Sequence, residues 1–335
     1  MSDLSSTTVH PDTNILELVC GAFARHVDAK PHHIVGLGLW ALHTHIHRRY
    51  DKSPRLAIIS PVPNCGKSSV LNVLNSIVWK PEKIIDPTNA AIQRLANYHT
   101  LLLDEADNMT IVKSMRATLN AGHEAGGVSP RVGKDGEVIN YPVYGPLALA
   151  SIGRLPTSLM SRSIVIPMHR SSKAMEPFNP REAFYYPEIV RWAEEVNLNP
   201  QPTMPPQIIG RYRDKWRPLI AIGHAVDRSL LAYETMAAFY NERTVPDLKE
   251  SLLRDVQEVF LASKRDVLTT DMILGYLLNL ENGEVDWSEH QLTKSKIART
   301  LRDFQIENKV HRYEKTKMAR CYFKADFEEM WERYA

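Results

Sequence analysis

Short, continuous apolar runs alternate along the chain with segments whose apolar residues recur every three or four positions. Strands buried on both faces are predicted at residues 56–59, 100–103, 147–152 and 163–168. Helical spacing occupies the stretches around them, at residues 14–26, 32–50, 68–79, 89–97 and 111–123. Because buried strands that alternate with helices favour a parallel sheet, this pattern predicts an α/β fold.

The last third of the chain has a different pattern. Helical spacing recurs at residues 216–241, 248–262, 270–280 and 293–304. Two short alternating segments follow, at 309–313 and 320–323. Three helices followed by a two-stranded wing predict a winged-helix-like module at the C-terminus.

The composition excludes several classes of protein. Apolar residues make up 44% and charged residues 24% of the 335 residues, which favours a folded chain with a substantial core. No apolar run has the length of a membrane-spanning helix, so we expect no membrane association. Three widely spaced cysteines form no disulfide framework, which favours a cytoplasmic protein.

The loop after the first predicted strand resembles a phosphate-binding loop. It ends in Gly66, Lys67 and Ser68, and a helix is predicted directly after it. Amides at a helix N-terminus favour bound phosphate, a lysine contacts its oxygens, and a serine hydroxyl ligates Mg²⁺. We therefore expect ATP and Mg²⁺ as ligands, with Ser68 on the metal. The predicted nucleotide-binding residues are Pro63, Asn64, Cys65, Gly66, Lys67, Ser68 and Ser69.

Pro61 departs from the usual motif, because it stands where such loops have their first glycine. A proline supplies no amide donor and restricts φ. A Gly-Lys-Ser tripeptide in an ordinary turn is therefore the alternative interpretation. The strand before the loop and the helix after it favour the phosphate loop.

A second motif ends the strand at 100–103, where Asp104 and Glu105 follow an apolar run. In P-loop enzymes one such carboxylate lies near the metal, and a neighbouring one polarises the attacking water. We predict Asp104 as a metal ligand, and Glu105 as a catalytic residue together with Lys67. The alternative for Asp104 is a helix N-cap, a position that aspartate also favours.

These motifs, together with residues 119–123, 162–166 and 216–219, resemble a bacterial and phage family of AAA+-like ATPase domains. Such domains are often fused to primase or helicase modules in phages, plasmids and genomic islands, and proline is common at the position of Pro61. The likeness extends from residue 34 to the C-terminus. It implies an α/β P-loop NTPase (AAA+-like) with a parallel-sheet core, a helical lid and a C-terminal winged-helix-like domain.

The resemblance and the local patterns together predict the organisation of the chain. We expect a disordered lead-in at 1–12, an ATPase core with N-terminal helices at 13–200, a helical lid at 201–245 and the winged-helix-like domain at 246–335. The resemblance also implies a homo-oligomer, with a hexameric ring among the arrangements. A primase or another replication protein is an expected partner.

Two arginines are candidates for contacts with the nucleotide, either within one subunit or across to a neighbour. Arg162 is similar to the arginine finger of ring helicases, whose guanidinium stabilises charge on the transferred phosphoryl group. Its alternative is a salt bridge that anchors a strand edge. Arg217 lies where AAA+ lids often carry a second sensor, at the start of a predicted helix. Its alternative is a cation–π or packing contact with Trp216 or with another surface aromatic.

Positive charge is concentrated near the C-terminus, although the net charge of the whole chain is only +2. Residues 291–324 contain ten Lys and Arg against three Asp and Glu. A helix and wing with this charge would bind phosphates, so DNA is the expected partner. Solvated basic surface and protein docking are the alternatives. Candidate contacts are Lys294, Lys296, Arg299, Arg302, Arg312, Lys315, Lys317 and Arg320, with Lys134 in the turn of a hairpin predicted at 130–139.

The sequence therefore predicts an ATPase coupled to DNA binding or remodelling. Helicase, helicase loader and replication initiator of a phage, plasmid or genomic island are the options. The alternative is an ATP-driven regulatory switch that binds a partner protein, for example in anti-phage defence. A third hypothesis is a degenerate ATP binder with a structural role.

Overall fold

The computed structural model describes residues 14–104, 106, 109–133, 135–153, 155–179, 187–242, 248–279, 287, 291–314 and 317–334. The chain divides into two compact units, Met1–Tyr240 and Asn241–Ala335. The predicted lead-in at 1–12 lies outside the described residues, as do Glu105, Lys134 and Lys315. None of the helices in the described ranges combines the length and the apolar character needed to cross a membrane.

The first unit contains helices and strands in alternation. The helices are α1 (Ile15–His26), α2 (Pro31–Ile46), α3 (Lys67–Ile77), α4 (Asn89–Leu95), α5 (Met109–Ala121), α6 (Thr157–Met160), α7 (Pro187–Glu195), α8 (Gly210–Ala225) and α9 (Ser229–Asn241). The strands are β1 (Arg55–Ser60), β2 (Pro81–Ile85), β3 (Thr100–Asp104), β4 (Val128–Val132), β5 (Val138–Pro142), β6 (Leu147–Ile152) and β7 (Ser163–Pro167).

Five strands form a parallel sheet in the order β2-β3-β6-β1-β7. The four strands expected from apolar runs are β1, β3, β6 and β7, so the predicted α/β class with a parallel sheet is confirmed. The edge strand β2 was not predicted. Its first four residues are only partly buried and Ile85 is exposed, and Glu82 and Lys83 interrupt any apolar run.

Alternate residues of the central strands face hydrophobic clusters on opposite sides of the sheet. Leu102 packs in the cluster that contains Val70 of α3, whereas Leu103 packs with Leu119 of α5. Since side chains alternate along a strand, Asp104 lies on the same face as Leu102. That is the face covered by α3.

The helix predicted at 216–241 is in fact two helices, α8 and α9. The chain breaks between them at Asp227, whose φ of 54° is left-handed and cannot continue an α-helix. Trp216 of α8 and Met236 of α9 pack in the same cluster as Trp40 of α2. Within the segment predicted as a helical lid, α8 and α9 therefore share the core of the first unit.

The hairpin predicted around residues 130–139 is formed by β4 and β5, which pair with each other in a separate two-stranded sheet. Its base is held by a buried polar network. Gln93 of α4 donates to Ser129 Oγ at 2.7 Å, and Thr118 Oγ1 of α5 lies 2.9 Å from the same oxygen. These bonds join the hairpin to the helices that follow β2 and β3.

In its described residues the second unit contains four α-helices and a three-stranded sheet. Its elements are α10 (Leu248–Ser263), β8 (Val267–Thr269), α11 (Thr270–Leu278), α12 (Lys294–Asp303), β9 (Lys309–Glu314), β10 (Lys317–Phe323) and α13 (Glu328–Tyr334). The strand order is β8-β10-β9, with antiparallel pairing. The three predicted helices and both wing strands are observed. Strand β8 was not predicted, because three residues carry too little periodicity.

Candidate functional site

The loop between β1 and α3 turns through two residues with left-handed backbone. Asn64 has a φ of 61° and Gly66 a φ of 80°. Asparagine and glycine are the residues that adopt this conformation most readily, so the sequence is suited to the turn. Gly66 is the N-cap of α3, and the first amides of that helix have no partner within it. This helix end can therefore receive an anion.

Solvent reaches much of the loop. The exposed residues among the predicted nucleotide-binding set are Pro63, Asn64, Gly66 and Ser68. Ser69 is partly buried, and Cys65 is buried, with its thiol donating to the carbonyl of Val62 at 3.3 Å. Cys65 thus fills the inside of the turn with its side chain.

Lys67 reaches back across the loop to the end of β1. Its Nζ donates to Ser60 Oγ at 2.7 Å, and Ser60 donates to the carbonyl of Val62 at 2.8 Å. Ser60 was not predicted, because one serine at the end of an apolar strand gives no distinctive signal. The two bonds place a positive charge beside the loop that Gly66 closes.

Asp104 lies at the same end of the sheet as Lys67, where the carboxyl ends of the parallel strands meet. It is on the face covered by α3. One strand, β6, separates β3 from β1, so the main chain at Asp104 is about 10 Å from β1 across the sheet. The strand register places Asp104 level with Ile58. Helix α5 begins only at Met109, so Asp104 is not its N-cap.

Lys83 of β2 is a cation next to Asp104 that the sequence did not suggest. Its Nζ lies 3.5 Å from Asp104 Oδ2 and donates to Asn72 Oδ1 of α3 at 2.9 Å. The exposed fractions of the Lys83 and Asp104 side chains are 26% and 13%. Because strand β2 was not predicted, nothing in the sequence placed Lys83 beside this carboxylate.

The donor set at this edge fits a metal–triphosphate group. Ser68 and Asp104 supply the oxygen donors that Mg²⁺ prefers. Lys67 and the open helix end supply positive charge and amide donors for phosphate oxygens. Glu105, the predicted catalytic carboxylate, follows Asp104 directly but is not among the described residues.

Arg162 lies at the end of the sheet where the parallel strands begin, whereas Lys67 lies at the end where they finish. Arg162 precedes Ser163, which is in register with Arg55 at the start of β1. The length of β1 therefore separates it from the predicted phosphate loop, about 16 Å at the usual rise per strand residue. Its Nη1 donates to the carbonyl of Ser158 at 2.7 Å, which holds the guanidinium at this edge. Among the described residues no carboxylate forms a salt bridge with it.

The surroundings of Arg162 are rich in positive charge. Burial and, second, the charge of Arg211 lower the pKa of Arg162, against a smaller opposing effect of Glu124. Burial also lowers the pKa of His123 to about 4, so this ring is neutral at pH 7. Arg162 Nε is buried and, within the described part of the chain, has no hydrogen-bond partner. The shared pocket is lined by Lys52, Ser53, Pro54, His123, Arg162, Arg211, Asp214 and Lys215.

Arg217 lies in the middle of α8 and not at the start of a helix, because α8 begins at Gly210. Trp216 beside it is fully buried. In the described ranges no cation–π contact joins Arg217 to Trp216. No described contact joins Arg217 to the predicted phosphate loop either.

The basic residues of α12 are exposed or partly buried, and several contact neighbouring groups. Lys294 Nζ lies 2.9 Å from Asp271, and Arg302 Nε lies 3.6 Å from Glu307. Lys296 donates to the carbonyl of Gln291 at 2.9 Å. Arg299 is exposed. The helix therefore presents a basic surface whose charge is partly offset.

The wing presents a mixed surface. Its register pairs Met318 with Arg312 and Arg320 with Val310, so these four side chains share one face. Val310 and Met318 are 64% and 63% exposed. Arg320 donates to Asn308 Oδ1 at 3.1 Å, and Lys317 is exposed. Two cations and two apolar side chains thus lie together in solvent.

The known proteins that are similar to this chain include one protein family and several solved structures. A family model described as a protein of unknown function (DUF3631) matches residues 179–334. A search of curated proteins finds no match. Similar solved structures include "The A form apo structure of NrS-1 C terminal region-CTR", with 13% identity, a TM-score of 0.43, and coverage of 94% of this chain and 77% of that one.

Two further structures are similar to this chain. The structure titled "The A form apo structure of NrS-1 C terminal region-CTR(305-718)" has 15% identity, a TM-score of 0.43 and the same coverage. A full-length MCM homolog from Methanopyrus kandleri has 16% identity and a TM-score of 0.31, with 48% of this chain and 41% of that one covered. The family match begins after the predicted phosphate loop and Asp104, so it extends over α7 to α13 and does not include the candidate site.

Proposed function

We propose that this chain is a P-loop ATPase of AAA+-like type that hydrolyses Mg–ATP. One observation carries the proposal. A strand–loop–helix turn with left-handed Gly66 before Lys67 lies at the same sheet edge, and on the same sheet face, as Asp104. A turn of this kind cradles phosphate oxygens, and an acidic strand end two strands away is suited to the associated metal.

Each residue has a role in this proposal. The amides of the loop at Asn64 and Gly66 bind phosphate oxygens, and Lys67 moves from Ser60 to the terminal phosphates. Ser68 and Asp104 hold Mg²⁺, which when bound offsets the negative charge of the phosphates. Glu105 orients and deprotonates the attacking water.

Arg162 has a role only between copies of the chain. It is held about 16 Å from the phosphate loop of its own sheet by the length of β1, so it serves a neighbouring subunit. We therefore propose a homo-oligomer with head-to-tail contacts, of which a closed ring is one form. The cationic pocket around Arg162 and Arg211 suits an anion presented by that neighbour.

The second unit is proposed to act as a winged-helix-like module that binds DNA through α12 and the wing. Arg299 and Arg312 are exposed cations suited to phosphate contacts. The exposed Val310 and Met318 favour a second candidate, a switch that docks a partner protein through the same wing. Helicase, loader and initiator activities are finer versions of the first candidate.

ATP turnover measured with and without single-stranded and duplex DNA tests the proposal. The wild-type chain should hydrolyse ATP, Lys67→Ala should lose nucleotide binding, and Glu105→Gln should bind ATP but turn over slowly. Equal and negligible turnover by wild type and Glu105→Gln would remove hydrolysis from the function. Turnover without DNA stimulation, and without DNA binding at low salt, would favour the protein-docking switch.

A further inference from the structure

Lys83 places a cation beside Asp104, at the carboxyl end of β3. Lys83 Nζ lies between two acceptors, Asp104 Oδ2 at 3.5 Å and Asn72 Oδ1 at 2.9 Å. These three side chains come from β2, β3 and α3, which meet on one face of the sheet. A positive charge is therefore built into the place where the proposed metal ligand lies.

The fold places Lys83 there through the alternation of β2. Ile84 packs on the cluster at the opposite face of the sheet. Lys83 consequently faces α3, two residues before Ile85, which is in register with Asp104. With 26% of its side chain exposed, Lys83 also has an open route towards solvent.

Two cations cannot share this carboxylate without strong repulsion. Mg²⁺ binds carboxylate oxygens at about 2.1 Å. An ammonium 3.5 Å from the same carboxylate would then lie within about 6 Å of a divalent ion, in a partly buried site where screening is weak. Metal binding at Asp104 therefore requires Lys83 to move away. If Lys83 stays in place, its charge lowers the affinity of the site for the metal.

We propose that Lys83 is a resident cation that competes with Mg²⁺ for Asp104 and so sets the metal concentration at which the site loads. Lys83 occupies the carboxylate before Mg–nucleotide binds. It is displaced towards Asn72 and solvent when the metal and the phosphates arrive together. This inference rests on the proposed function, because it takes Asp104 to be a metal ligand.

Metal binding measured without turnover tests the competition. Mn²⁺ is titrated into the full chain with a non-hydrolysable ATP analogue, and bound Mn²⁺ is followed by electron paramagnetic resonance. Lys83→Met removes the charge and keeps most of the stem, so the half-saturating Mn²⁺ concentration should fall by about fivefold or more. Lys83→Arg keeps the charge and should stay within about twofold of wild type.

Lys80→Met is the matched control. Lys80 is exposed, directly precedes β2, and lies over the ring of Trp79 with its ammonium 5.2 Å from the centroid. Its removal changes the net charge equally and should leave Mn²⁺ binding unchanged. Should Lys83→Met not fold, as judged by its thermal melt, Lys83→Gln keeps a donor for Asn72 and has the same expected result.

The outcomes separate this inference from the proposal on which it rests. An unchanged or raised half-saturating Mn²⁺ concentration in the neutral Lys83 variants overturns the competition. If Asp104→Ala binds Mn²⁺ as wild type does, the assignment of Asp104 as a metal ligand fails instead. A loss of binding in Asp104→Ala, together with tighter binding in Lys83→Met, is the expected pair of results.

Discussion

Mixing two inactive variants tests whether Arg162 serves the nucleotide site of a neighbouring copy. Arg162→Ala keeps the phosphate loop intact, and Lys67→Ala keeps Arg162 intact. Because β7 is in register with β1, Arg162 lies about 16 Å from the predicted phosphate loop of the same subunit. The hydrogen bond from Arg162 to Ser158 holds the guanidinium there. A single subunit therefore cannot bring the two groups to one phosphate.

The expected magnitudes follow from this geometry. Removing an arginine finger costs roughly 10³-fold in rate, and Lys67→Ala should lose nucleotide binding, so each variant alone should be nearly inactive. In an equal mixture about a quarter of head-to-tail interfaces join an intact loop to an intact Arg162, so activity should return to about a quarter of the wild-type rate.

The assay is steady-state ATP turnover at a fixed total concentration, after the purified variants are mixed and allowed to exchange subunits. Arg213→Ala, at an exposed arginine on α8, is the control and should retain wild-type activity. A mixture as inactive as its components would refute action between subunits. An Arg162→Ala variant that keeps most of its rate would remove Arg162 from the mechanism.

Further predictions concern the loop, a buried histidine and the basic helix. Gly66→Ala should fold but bind a fluorescent ATP analogue weakly. Its φ of 80° costs an alanine about 1–2 kcal/mol, whereas the new methyl group would meet only Met168 at an ordinary 3.5 Å. Burial lowers the pKa of His43 to about 3, so only the unfolded chain takes up this proton between pH 6.5 and about 3. Stability should therefore fall by roughly 3–5 kcal/mol as the pH drops through that window, and denaturant unfolding of His43→Gln should show a smaller fall. Arg299→Ala should reduce the slope of log K against log salt for DNA binding by about one, and an unchanged slope would take this residue out of the interface.

DNA binding and protein docking by the second unit would use different exposed residues. Truncating Val310 and Met318 leaves the charge of the wing unchanged, whereas Arg299→Ala removes a positive charge from α12. A partner protein would respond mainly to the first change and DNA mainly to the second. The two candidate functions thus separate on exposed residues that contribute little to the core.

Errors in the predicted elements have local physical causes. Strand β2 was missed because an edge strand is only half covered, so Glu82 and Lys83 are tolerated where a central strand would be apolar. The division between α8 and α9 was missed because the helical pattern of apolar residues continues across it. The break lies in the left-handed backbone of one residue, Asp227. Helices α10 to α12 and the wing of the second unit were predicted closely, since their periodic patterns are strong, whereas α13 was not predicted.

The sequence by itself determined the local features of this protein. Apolar runs specify the central strands, and glycine before Lys67 specifies the turn that opens α3, because burial and backbone sterics act on neighbouring residues. Only the tertiary structure decided which distant residues meet. The insertion of β6 between β1 and β3, the pairing of Lys83 with Asp104, and the position of Arg162 at the far edge all depend on strand order and register. Those contacts join segments far apart in the chain, and no local periodicity encodes them.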